Sequence, residues 1–139
     1  RASLTAATPG LVEIPKGRCF YCQDRLSASV HIDHFIPWSL FADDGIFNLV
    51  PTHTACNTSK GDRFASHTHL QKWTHRIESH HDEIAEVGHA TKLSTDRDRT
   101  VALATSSYRQ LQTTSLVWHS RGENLRRALP AEIAKVLAR

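Results

Sequence analysis

The feature that most constrains this chain is a pair of short knuckles. Cys19 and Cys22 form C-x2-C, and His53 and Cys56 form H-x2-C further along. Each x2 spacing lets both side chains of a tight turn converge on one ion, so together they offer four ligands for a tetrahedral Zn²⁺. The surrounding segment has few apolar residues for its length. A unit that small buries little surface and usually needs a staple. Zinc binding, worth about 10–16 kcal/mol in small fingers, can supply it. Two other readings stay open: Cys19 and Cys22 as a redox pair, although no thioredoxin-like setting surrounds them, or as small buried hydrophobes. His53 is the unusual member, since a cysteine more often stands at such a place.

Composition sets the outer limits. The 139 residues suit one domain, or one domain with an appendage. Hydrophobic residues make up 40% and charged residues 22%, which excludes collagen, a low-complexity tail and a wholly disordered segment. No apolar run is long enough to span a membrane, and no signal-peptide pattern is visible. The chain has no Met and begins with Arg1, so it is expected to be a piece of a longer protein. Its 3 cysteines would leave one thiol over in a disulfide framework, which favours a reducing cytoplasm. A net charge of +3 permits a nucleic-acid partner without requiring one. The tail carries Arg121, Arg126, Arg127, Lys135 and Arg139 against Glu123 and Glu132, and reads as a solvated helical face or a phosphate-facing surface.

Local patterns divide the chain at about residue 65: a linker or lead-in over 1–17, a motif-dense unit over 18–65 and a helical extension over 66–139. Val30-His31-Ile32 alternates as a short strand. A helix is expected from about Thr54 to Lys60, with Thr52 as a possible cap and Gly61 as its stop. Leu70, Trp73, Ile77, Ile84 and Val87 share one face of a helix over 66–87, with Ser66 as cap. A second helix is expected over 96–118, opened by a Thr95–Asp98 capping box, although Ser115–Trp118 could instead be a strand. Trp73 and Trp118 fall on helical stripes and read as packing. Pro130, at a helix N1 position, opens a final helix.

Between and after the knuckles lie Asp33-His34 with Ile36-Pro37, then Asn48-Leu49-Val50, then Cys56-Asn57 with Lys60-Gly61. Each is weak alone. In this order and interleaving the chain resembles the HNH nucleases of the ββα-metal class, over about residues 18–63. The resemblance implies an α+β fold: a ββα-metal HNH core, a hairpin then a helix, with zinc knuckles beside it and a mainly helical part after it. It also implies roles. His34 is the general base, and an imidazole titrates near working pH. Asp33, on the opposite side of the strand from His34, and Asn57 hold Mg²⁺ or Mn²⁺. Asn48 braces the loop that carries His34. Lys60 and Arg63 meet the phosphodiester backbone or face solvent. Two departures stand out: Asn57 occupies the place of the family's third histidine, and His53 the place of a zinc-binding cysteine.

The implied activity is hydrolysis of DNA to 5′-phosphate and 3′-hydroxyl ends, in a module of a larger restriction or phage-defence nuclease. One such site cuts one strand, so a double-strand break needs a homodimer, a further domain or two visits. The competing expectations are a non-catalytic zinc module that binds nucleic acid and an enzyme of the same chemistry acting on RNA. A third is a thiol-redox or regulatory zinc protein. His31, by period 2 on the face of Asp33, is expected to border the metal without a catalytic role.

Overall fold

The computed structural model describes residues 2–139. The Thr-, Ala- and Pro-containing start, expected as a linker, forms a helix, α1 (Ala2–Glu13). Ala7 and Leu11, one turn apart, bury on one face and hold it to the rest of the chain. The two antiparallel strands β1 (Val30–His34) and β2 (Leu49–His53) follow, with Val30 opposite His53 and His34 opposite Leu49. A short 3-10 turn, Ile46–Asn48, leads into β2, and helix α2 (Thr54–Lys60) leaves it at once. Gly61, at φ 60°, ends α2 in a conformation that side-chain-bearing residues rarely adopt.

The single helix expected over 66–87 is two: α3 (His67–Ser79) and α4 (His81–Thr91), broken at His80. Asp82 and Glu83 open a new first turn there, where acidic groups favour a helix start, and His80 Nδ1 lies 2.8 Å from Glu83 Oε1. Ser66 does precede α3, but its hydroxyl pairs with His119 Nδ1 at 3.0 Å instead of capping. Gly10 and Gly88 let elements meet closely. A Cβ on Gly10 would sit 2.7 Å from Val87 Cγ2, and one on Gly88 2.8 Å from Ile46 Cγ2.

The second long helix is also shorter than its periodicity predicts. Helix α5 (Arg97–Arg109) is capped by Asp96, whose carboxylate accepts the Arg99 N–H at 3.0 Å. The stretch after it turns back as β3 (Leu116–Ser120) and β4 (Asn124–Arg127), so the strand alternative holds for residues 116–118. Helix α6 (Pro130–Leu137) carries Pro130 in its first turn. Six helices and two small antiparallel sheets among the described residues make the fold α+β.

The core ignores the sequence boundary at residue 65. The Phe35 ring, just after β1, stacks on Trp73 of α3 with centroids 4.9 Å apart. Trp73 Nε1 donates to the Phe47 carbonyl at 3.1 Å, and Tyr108 of α5 donates to the Ala65 carbonyl at 2.8 Å. Burying a ring such as Phe35 is worth roughly 1.5–3 kcal/mol. Trp118 is buried on β3, not on a helix, and its Nε1 donates to Ser59 of α2 at 2.9 Å. Arg76 is the costly exception: its guanidinium is buried, meets no protein acceptor among the described residues, and is drawn down to about 10 by that burial.

His69 gives this core a pH dependence. Burial pulls its pKa down to about 4, against a donated bond from Nε2 to the His119 carbonyl at 2.6 Å. Below about pH 6.5 the unfolded chain takes up a proton that the folded chain refuses, so stability falls with pH until about 4. The slope through this residue is about 1.4 kcal/mol per pH unit. Unfolding free energies from urea titrations should fall for wild type relative to His69→Phe by up to about 1.4 kcal/mol per pH unit between about pH 6.5 and 4, and not between pH 7.5 and 6.5. Parallel curves would remove His69 as the cause.

Candidate metal centre and catalytic site

The two knuckles meet. Cys19 and Cys22 lie in a tight turn closed by Cys19 N–H to Asp24 O at 2.9 Å and Gln23 N–H to Cys19 O at 2.9 Å. His53 ends β2 and Cys56 sits in the first turn of α2. Their four ligand atoms lie within 4.8 Å of one another, and no disulfide joins the cysteines. His53 Nδ1 is 3.2 Å from Cys22 Sγ, while its Nε2 is 2.9 Å from the Arg25 carbonyl. A carbonyl only accepts, so Nε2 carries the proton and Nδ1 is left to ligate. Three thiols and an imidazole at this spacing suit tetrahedral zinc. Burial, then the neighbouring Cys19 and Cys22, push the Cys56 thiol up to about 12. Such crowded thiols ionise together only around a cation. Lys72 of α3 donates to the Phe20 and Tyr21 carbonyls, each at 2.9 Å, and so ties the first knuckle to the helical part.

Tyr21, between the first two cysteines, also reaches the hairpin. Its hydroxyl donates to Asp33 Oδ2 at 2.6 Å, and the same oxygen pairs with Lys60 Nζ at 3.1 Å. Lys60 is fully buried and donates a further bond to the His34 carbonyl at 3.3 Å. The expectation that Lys60 meets a phosphate backbone is therefore corrected. A buried ammonium needs a carboxylate, and Asp33 provides it. One turn earlier on α2, Asn57 Nδ2 lies 2.8 Å from His31 Nδ1. An amide nitrogen only donates, so in this arrangement Asn57 Oδ1 faces away from that bond. His31 and Asp33 share a strand face, and Asn57 and Lys60 share the helix face laid across it. Asp33 and Asn57 thus belong to one patch. Arg63 is exposed just beyond α2.

His34 points to the other side of β1. Its Nε2 lies 2.7 Å from Asp44 Oδ1, and its ring is 5.2 Å from that of Trp38. Asn48, fully buried, shapes the intervening loop: Oδ1 accepts the Ile36 N–H at 2.7 Å, and Nδ2 donates to the carbonyls of Ile36 and Asp43 at 3.2 and 3.0 Å. Sequence reasoning named neither Asp44 nor Tyr21. A carboxylate in a Gly-punctuated loop carries no local sign of its partner, and a tyrosine between knuckle cysteines reads as filler.

The family model described as HNH endonuclease matches residues 19–66. That stretch holds both knuckles, the hairpin and α2, so the resemblance read from the motifs is shown there, over less than half of the chain. No curated protein and no solved structure matches the chain.

Two outcomes test this geometry. Protein purified without added zinc should carry about one zinc per chain, and a strong chelator should unfold it with loss of helical circular dichroism. Folded, metal-free protein would overturn the staple. Separately, Asn48→Ala leaves the Ile36 and Asp43 groups without their partner and should cost about 1–3 kcal/mol in urea unfolding. An unchanged midpoint would show that the loop does not depend on that amide.

Proposed function

We propose that this chain is a metal-dependent endonuclease module that hydrolyses DNA phosphodiester bonds. The observation that carries the reading is the split of neighbouring side chains at the end of β1. His34 reaches one side with Nε2 on Asp44, and Asp33 reaches the other, toward Asn57's patch. No hydrogen bond to His34 Nδ1 forms among the described residues, so that nitrogen is the proton acceptor. It takes a proton from water as the oxygen attacks phosphorus. The new P–O bond forms while the bond to the 3′ oxygen breaks, leaving 5′-phosphate and 3′-hydroxyl ends once that oxygen is protonated.

The Asp33 carboxylate, through the oxygen that Lys60 and Tyr21 do not occupy, and one amide oxygen, with waters and substrate oxygens completing the shell, would form a donor set that suits a hard cation. Asp33 and Asn57 would hold Mg²⁺ or Mn²⁺, which when bound stabilises charge on the phosphate and the departing oxygen. Asn48 shapes the loop between His34 and its partner, and Arg63 is an exposed cation for the DNA backbone. The wider role, cleavage in restriction or phage defence within the cytoplasm, rests on analogy with nuclease modules fused to recognition domains. No helix among the described residues is long and apolar enough to cross a membrane.

The test is nicking of supercoiled plasmid with Mg²⁺ or Mn²⁺. Wild type should convert it to open circles, and His34→Ala should be slower by roughly 10²–10⁴-fold. Equal cleavage by both proteins would remove His34 as the base. Duplex DNA, single-stranded DNA and RNA compared at one salt concentration fix the substrate class, and faster cleavage of RNA would reverse the choice made here.

A further inference from the structure

A general base needs the right nitrogen free as well as the right position. In neutral histidine one ring nitrogen carries the proton and the other accepts, and the bond made by the first decides which is which. His34 Nε2 sits 2.7 Å from Asp44 Oδ1, inside the range of a strong hydrogen bond. An ionised carboxylate only accepts, so Nε2 must donate. We infer that Asp44 is a positioning residue: it holds His34 in the tautomer protonated at Nε2, which presents Nδ1 to the water. This rests on the nuclease reading above and deepens it.

The placement of Asp44 is built, not incidental. The residue before it, Asp43, is buried, and its side chain accepts from the Gly45 N–H at 2.8 Å and from Thr100 Oγ1 at 2.7 Å. Arg99 Nη1 adds a contact at 3.3 Å. On its other bond-forming side, the Asp43 carbonyl accepts from Asn48 Nδ2 at 3.0 Å. The loop is thus pinned from the hairpin by Asn48 and from α5 by Thr100 and Arg99. Asp44 is the next residue along the chain, and its side chain is left pointing at His34. The helical part of the chain contributes to the positioning of Asp44 through this anchor.

The test uses the whole chain with its zinc, as wild type and as Asp44→Asn and Asp44→Ala. In ¹⁵N-histidine-labelled protein, with His34 assigned by its loss in His34→Gln, the neutral wild-type ring should show a protonated Nε2 and an unprotonated Nδ1. Asp44→Asn should mix or reverse the two forms, because an amide can donate to Nε2 as well as accept from it. In plasmid nicking, kcat should fall by roughly 10²-fold in both variants while KM does not rise. A carboxylate that merely repelled DNA would behave oppositely: removing it would lower KM and leave kcat alone. Unchanged zinc content and melting temperature keep a folding defect apart from a loss of positioning. If wild type nicks and Asp44→Asn matches its kcat, or if wild-type His34 carries its proton on Nδ1, the positioning role is wrong while the nuclease reading stands. If wild type cuts no nucleic acid at all, the nuclease reading fails and takes the positioning role with it.

Discussion

One buried ammonium holds the three parts of the site in register. Lys60 comes from α2, its carboxylate partner Asp33 from β1, and the tyrosine that shares Asp33 Oδ2 from the first knuckle. Taking both charges out of water costs several kcal/mol per ion, recovered only when the geometry is good and the remaining bonds are made. Here they are made: Lys60 also donates to the His34 carbonyl and lies 5.9 Å from the centre of the Tyr21 ring. Such an arrangement adds little net stability over apolar residues of the same volume. What it supplies is specificity of placement. A helix seven residues long could settle across a two-stranded hairpin at several angles. Only one of them pairs Lys60 with Asp33, and that one brings Asn57 onto the face of His31. The cysteine cluster fixes the same helix at its other end, through Cys56.

How much of this could be read in advance follows from which interactions are local. The knuckle spacing, the strand before Asp33, the helix from Thr54 to Lys60 and the proline-opened α6 depend on neighbours within a few residues, and the sequence pattern shows them. The break at His80 was hidden because Ile77 and Ile84 stay seven apart, a spacing that suits one continuous helix; only Asp82 and Glu83 mark the new start. The end of α5 is illegible for the opposite reason. Trp118 continues the helical spacing by chance, while its real place is set by distant groups: its N–H donates to the Phe64 carbonyl at 2.8 Å and its indole to Ser59. In the site, residue types were legible and partnerships were not. Lysine is rarely buried without a partner, and the partner of Lys60, Asp33, stands too far away in the chain for the local pattern to show it. His53 read as the weak ligand, yet its bond to the Arg25 carbonyl orients Nδ1 toward the sulfurs as a preformed ligand requires.

These partnerships also explain why the segment matched by the family model does not stand alone in this fold. Its own apolar surface is small, and its fully buried Phe35 ring is covered by Trp73 from α3. Its first knuckle is held by Lys72 of the same helix, and the loop that carries Asp43 by Thr100 of α5. Each of these contacts joins residues dozens of positions apart, so each carries a loop-closure cost that local structure does not. That cost is borne once, when α3 and α5 dock, and every contact then forms together. A hairpin and one short helix are marginal in water on their own. Here the Cys3His cluster gathers the ends of that small unit, and the helices behind it fix the middle. The loop from Ile36 to Gly45 lies where the two supports meet. It is long enough to wander and is held at Asn48 and Asp43. A group placed on that loop can therefore be positioned to within hydrogen-bonding tolerance of a side chain on β1, and the carboxylate of Asp44 is placed there.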